Sequence, residues 1–262
     1  MTDFQQLDRY LKVDTKQKAA DLATLNMLIR HYMLQVPFEN INVQNGWSLA
    51  LTDEAMMHKV VDEHRGGFCY EMNYFFKHYL EYHGYKVGAM SATVMSPHGW
   101  ARENSHMSLV GAVDDTEYVV DIGFGDMPKF AMPLHTCPAE GVRDVTGVYR
   151  VRFADEQHYD VQKWSEAEEE WHIQYRALYQ AKTLEDFADG IDFNQYHPDS
   201  PFVKGLLITK ATETGRHTMT ERRLTILSEG EKKALDVSRT NYKELLPKYF
   251  GIPEMKIATF DA

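Results

Sequence analysis

The chain has 262 residues, 44% of them hydrophobic, enough to bury a sizeable core in one large domain or a few small ones. A formal charge of -11 argues against a nucleic-acid surface, which needs clustered Lys and Arg, and points to a small ligand or another protein. No apolar run approaches the roughly 18 to 20 residues needed to cross a bilayer. The opening MTDFQQLDRYLKVD lacks a basic region followed by an apolar stretch, so no membrane role and a cytosolic location are expected.

In chain order, Asp21 to Val36 carries Leu22, Leu25, Ile29, Tyr32, Met33 and Val36 at three- and four-residue steps, a helical stripe closed by Pro37. A second helical stripe follows the pair Gly66-Gly67, with Met72, Phe75, Phe76, Tyr79 and Leu80 on one face and Cys69 on that face at the first turn. After Gly84 the pattern changes to short β-type runs: YKVGAMSATVM, SHMSLVGAV, EYVVDIGF, GVYRVRF and EWHIQY. SEAEEEW between the last two reads as a solvated turn. Thr183 to Asp186 has the form of a capping box opening a short helix toward Phe187. LLITKATETGRHTMTERRLTIL predicts strands with a hairpin near Thr214-Gly215, and NYKELLPKYFGI predicts helix. The order is helical, then antiparallel sheet or barrel, then a smaller α/β block.

Only two cysteines occur, Cys69 and Cys137, in unlike contexts, and both are expected to be reduced. A lone buried cysteine is ordinarily an inert small hydrophobe. Cys69 differs because two glycines allow a tight turn that a Cβ would obstruct, delivering the thiol to a helix start. There the free N–H groups and the helix dipole favour a thiolate, the attacking form, and could also hold an oxyanion. A base is then required. His106 begins HMSLVGAV, and Asp121 lies on the following run. With Asp114-Asp115 as a two-residue turn, Val113 pairs with Thr116, and Asp121 falls opposite Ser108 on the face of His106. A three-residue turn would put the two on opposite faces, and the loop composition allows either. No HxH or HxxxH pair occurs and the cysteines are far apart, so no metal site is expected.

Taken together, VPFENI (36–41), RGGFCYEMN (65–73), SHMSLV (105–110) and VVDIGFG (119–125) resemble the arylamine N-acetyltransferase family in order and spacing, with a fainter continuation at Ser200-Pro201-Phe202. The resemblance implies an α+β fold with a helical N-terminal domain (1–84) carrying the nucleophile, an antiparallel β-barrel domain (85–195) carrying His and Asp, and an α/β lid (196–262). It implies Cys69 as nucleophile, His106 as general base and acid, and Asp121 as the carboxylate that orients the ring. It also implies acetyl-coenzyme A as co-substrate, and an arylamine, arylhydrazine or arylhydroxylamine as acceptor in a ping-pong reaction through acetyl-Cys69. Because the acyl-enzyme must be kept from water, Phe38 and Phe124 are the candidate walls of an apolar cleft. Arg65 and Glu39 are expected to pin the PFEN loop beside the cysteine turn, and Glu71 and Asn73 to satisfy backbone groups. For coenzyme A phosphates Arg102, near the His106 strand, and Lys210, in the third block, are candidates, but the spacing selects neither. The rival readings are a Cys–His–Asp hydrolase or transglutaminase-like amidase, and a non-catalytic protein that binds coenzyme A or an aromatic ligand.

Overall fold

The computed structural model describes residues 2–16 and 18–260. The helix Leu22–Gln35 begins where the Asp21 carboxylate accepts from the Thr24 N–H at 2.8 Å and ends at Val36, whose extended backbone the following proline favours. Leu25, Ile29, Tyr32 and Met33 are buried, as their spacing predicts. A helix absent from the sequence reading, Phe4–Leu11, precedes it and buries Phe4, Leu7 and Leu11. Eight residues with one short stripe give little periodicity to detect, and this helix is held by tertiary contacts such as that of Asp8 with the Tyr79 hydroxyl. The helix Cys69–Tyr82 buries Met72, Phe75, Phe76, Tyr79 and Leu80 together with Cys69.

The β region is one antiparallel sheet. Its strands run in space Met132–Pro133, Thr116–Val120, His106–Val113, Lys86–Ser96, Glu170–Lys182, His158–Ser165, Gly147–Phe153 and Val142–Asp144. The long strand Glu170–Lys182 is irregular in two places, between Ile173 and Tyr175 and between Ala177 and Ala181. Irregularities of this kind bend a strand and increase its twist. The sheet accordingly curls until Met132–Pro133 returns against Gly147–Phe153, giving a nearly closed barrel. The hairpin from His106 to Val120 takes the two-residue turn: Val113 pairs with Thr116 and Leu109 with Val120, and Asp114 adopts a left-handed φ of 51°. The strand His106–Val113 is buried along nearly all its length because the helix Cys69–Tyr82 packs beside it while the barrel encloses its other side.

A second sheet runs Phe38–Glu39, Ile208–Ala211, Gly215–Met219, Arg223–Ser228 and Glu231–Asp236. It packs on the helix Tyr242–Leu245 and the turns after it through Ile208, Met219, Leu224, Leu246 and Phe250. The last strand, wholly exposed, was not legible because EKKALD has no buried face to impose alternation. The architecture is α+β, as expected. Among the described residues no helix is long and apolar enough to cross a membrane.

The Phe38–Glu39 pairing knits the segment beside the cysteine turn to the last block. Glu39 is completely buried, and Arg65 donates to its Oε1 at 2.8 Å and to Asn42 Oδ1 at 2.6 Å. The buried Lys59 ammonium lies 2.8 Å from Glu71 Oε1 and 3.5 Å from Glu39 Oε1. Removing one partner from such a network strands a charge away from water. Arg65→Met is expected to cost about 3–5 kcal/mol in a denaturant titration; a loss under about 1 kcal/mol would show that Lys59 alone satisfies Glu39.

Candidate active site

The two glycines before Cys69 are required by close approach. A Cβ at Gly66 would sit 1.7 Å from the Pro37 carbonyl oxygen, and one at Gly67 would sit 2.6 Å from Glu71 Oε2. The PFEN loop therefore runs directly against the turn, and the Glu39 N–H donates to the Gly67 carbonyl at 2.9 Å. Glu71 folds back to accept from the Phe68 N–H at 3.2 Å and the Ala50 N–H at 2.8 Å. With the turn clamped from both sides, Cys69 becomes the first residue of its helix, buried and free of any disulfide.

From the barrel side, the His106 ring meets Asp121 through Nε2···Oδ2 at 2.7 Å. An ionised carboxylate only accepts, so Nε2 carries the proton and Nδ1 is left for the thiol. Cys69 lies on the same cleft as the His106 ring and helps to raise its pKa. Thus the structure brings together the three residues that the sequence placed on separate segments.

Asp121 is buried and surrounded by donors. Its Oδ1 accepts from Asn73 Nδ2 at 2.9 Å and from the Gly123 N–H at 3.0 Å. The Tyr175 hydroxyl lies nearby, 2.9 Å from Ser108 Oγ. Burial alone would raise the Asp121 pKa; the His106 charge, the bonds from His106 and Asn73, and the nearby Tyr175 hydroxyl outweigh it and hold the group below its ordinary value. On His106 burial opposes the charged ring, yet Asp121 first and Cys69 second raise the pKa from its ordinary 6.5 to about 10.

Asn73 does more than the sequence reading assigned to it. One helical turn beyond Cys69, it donates to the Met107 carbonyl at 2.6 Å as well as to Asp121, and accepts from the Ile122 N–H at 3.1 Å. The four-residue interval from Cys69 was the available signal, since it puts both side chains on one helix face. Tyr175 carried no local signal; it arrives from a strand remote in sequence. Gly123 permits the approach of the two parts, because a Cβ there would lie 3.0 Å from the Cys69 Cα and 2.8 Å from Asn73 Nδ2.

Cys69 and His106 open into a cleft of about 280 Å³. Phe38 and Phe124 both line it, with Phe202 and Leu207 from the last block and Phe193 from the helix Ala188–Tyr196. The Phe124 ring stands edge-on to His106 with centroids 5.2 Å apart. Asn40, to which the sequence reading gave no role, secures the cover: it donates to the carbonyls of Phe202 and Gly205, both at 2.8 Å, and accepts from the Leu207 N–H at 2.8 Å. Of the two cations considered for phosphates, Arg102 borders the cleft, whereas Lys210 is half-buried and donates to the Phe250 carbonyl at 3.0 Å.

A family model described as N-acetyltransferase matches residues 21–257. The chain belongs to that family, the arylamine N-acetyltransferases. It is 28% identical over 255 residues to an uncharacterized acetyltransferase of Bacillus subtilis strain 168, covering 95% of this chain and 98% of that one. A crystal structure of a Bacillus cereus arylamine N-acetyltransferase, described as having a unique Cys-His-Glu catalytic triad, matches with a TM-score of 0.86 at 27% identity, over 97% of this chain and 100% of that one. The Mycobacterium marinum arylamine N-acetyltransferase in complex with CoA matches with a TM-score of 0.85 at 25% identity, over 95% and 93%. In this chain the carboxylate against the His106 ring is an aspartate, Asp121.

Asp121→Asn removes the charge that opposes desolvation of the imidazolium and leaves burial in place. NMR of histidine-labelled protein should then show the His106 titration falling from about 10, with only Cys69 left to oppose burial; a titration unmoved by the substitution would show that Asp121 is not what holds the proton.

Proposed function

We propose that this chain transfers the acetyl group of acetyl-coenzyme A to an arylamine, arylhydrazine or arylhydroxylamine through an acetyl-Cys69 thioester. What carries the reading is the Cys69 thiol and the bonded His106–Asp121 pair on one aromatic-walled cleft, in a chain of this family.

In the first step the Cys69 proton already rests on His106 Nδ1, whose raised pKa favours the imidazolium, and the thiolate attacks the thioester carbonyl. The imidazolium is stabilised by Asp121, whose own donors keep it ionised. The oxyanion of the tetrahedral intermediate faces the first-turn N–H groups of Cys69 and Tyr70, which have no intrahelical partner. Collapse breaks the bond to the coenzyme A sulfur, which leaves as the thiol with the proton from His106. In the second step the amine nitrogen attacks the acetyl carbonyl on Cys69 and gives its proton to His106. The carbon–sulfur bond breaks, and the amide leaves as the thiol is restored. Phe38 and Phe124 serve to exclude water between the steps, so that amine rather than hydroxide meets the acyl group.

We read residues 1–84 as supplying the nucleophile, 85–195 as supplying base and orienting acid, and 196–262 as the cover. The bonds from Asn40 to the 202–207 loop support that division of labour.

Mass spectrometry after incubation with acetyl-coenzyme A alone is expected to find one added acetyl on the Cys69 peptide. Cys69→Ser should abolish it and lower transfer to an aniline by about a thousandfold or more while the fold persists. Retained activity in that variant would exclude the covalent route. Release of coenzyme A at full rate without any amine would favour a hydrolase instead.

A further inference from the structure

Two hollows of about 540 and 500 Å³ flank the catalytic cleft. The second is lined by Asp189, Asp192, Tyr196 and His197, and it shares Arg102 and Phe193 with the cleft. A pair of side chains that borders two cavities stands between them. The Arg102 guanidinium lies over the Phe193 ring, 5.4 Å from its centroid. By itself the cleft, at about 280 Å³, falls just short of the roughly 300–1,000 Å³ of small-molecule sites, whereas cleft and hollow together fall well inside that range.

We propose that Phe193, with Arg102 laid over it, is the partition that sets how large an acceptor enters, and that the hollow behind it receives the second ring of an extended arylamine. This inference rests on the transferase reading above.

The backbone beneath Phe193 is pinned. Asn194 donates to the Tyr70 hydroxyl at 3.3 Å and to the Ser105 carbonyl at 3.5 Å, and its own carbonyl accepts from Ser200 Oγ at 3.0 Å. At Gly190 a Cβ would lie 2.5 Å from the Asn104 carbonyl oxygen, so the helix sits tightly against the 104–105 segment. The Arg102 side chain is held loosely, by an exposed ion pair to Asp189 at 4.0 Å and by its contact with the ring. Both are weak interactions at a surface. Opening therefore needs rotation of the Arg102 and Phe193 side chains, with loss of the His197 stack on Phe193, and no movement of the helix. His197, stacked on Phe193 with centroids 4.6 Å apart, and the exposed Tyr196 ring offer aromatic surface to what enters.

The test compares 4-methoxyaniline with 4-phenoxyaniline, acceptors alike at nitrogen and different in length. Each protein is first acetylated with acetyl-coenzyme A and checked by mass, and the acceptor kcat/KM is then measured. Phe193→Ala is expected to raise the phenoxy-to-methoxy ratio by about tenfold, with a smaller rise for the better-packed Phe193→Leu and for Arg102→Ala. Tyr196→Ala in the Phe193→Ala background should take back part of the gain, since Tyr196 borders the hollow and not the cleft. An unchanged ratio in both Phe193 variants would overturn the proposal and would be the result if long acceptors ran past Ala101 into the other hollow. Failure of the wild-type protein to take up acetyl is a different outcome, one that overturns the transferase reading itself.

Discussion

The Asp121 carboxylate is a buried charge, and a buried charge persists only if fully paired and hydrogen-bonded. Its partners come from the helix of Cys69, the strand of His106 and its own strand end. Satisfying one carboxylate therefore fixes the relation of three segments. Asn73 makes this mechanical, because the helix that bears the thiol also bears the amide that holds Asp121 and the backbone beside His106. The helix cannot slide along the sheet without unpairing that charge. Distances among thiol, ring and carboxylate are thus set by the same bonds that join helix to barrel.

A second buried charge set works on the opposite side of the cysteine turn. Glu39, Lys59, Arg65 and Glu71 bind the PFEN loop to the glycine pair, and Glu71 satisfies the backbone on which Cys69 rests. The same loop supplies Phe38 to the cleft and a strand to the last sheet, and through Asn40 it holds the 202–207 segment over the opening. The reactive row and its shelter from water consequently share supports, which matters for an acyl thioester that must outlast solvent until an amine arrives.

Much of this was legible along the chain. The apolar spacing after Asp21 and after Cys69 marked the helices, and alternating β-type runs marked the barrel strands. Glycines 66 and 67 announced a close approach, which the Pro37 carbonyl and the Glu71 carboxylate supply. Two elements were missed for different reasons. The helix Phe4–Leu11 buries Phe4, Leu7, Asp8 and Leu11 on one face but spans little more than two turns, too short to stand out. The strand Glu231–Asp236 is exposed on every residue and has no buried face to impose a period.

What the sequence determined by itself was local: Cys69 at a helix start, and helix and strand types from their periods, because these depend on neighbours a few residues away. Whether His106 and Asp121 share a face hung on one residue of turn length, and only the folded hairpin, with Val113 against Thr116, decided it. The bond from Asn73 to Asp121, the contact of Tyr175 with Ser108, the hold of Asn40 on the cover and the hollow behind Phe193 are likewise tertiary. They join residues dozens to more than a hundred positions apart, and side-chain hydrogen bonds across such distances leave no period in the chain.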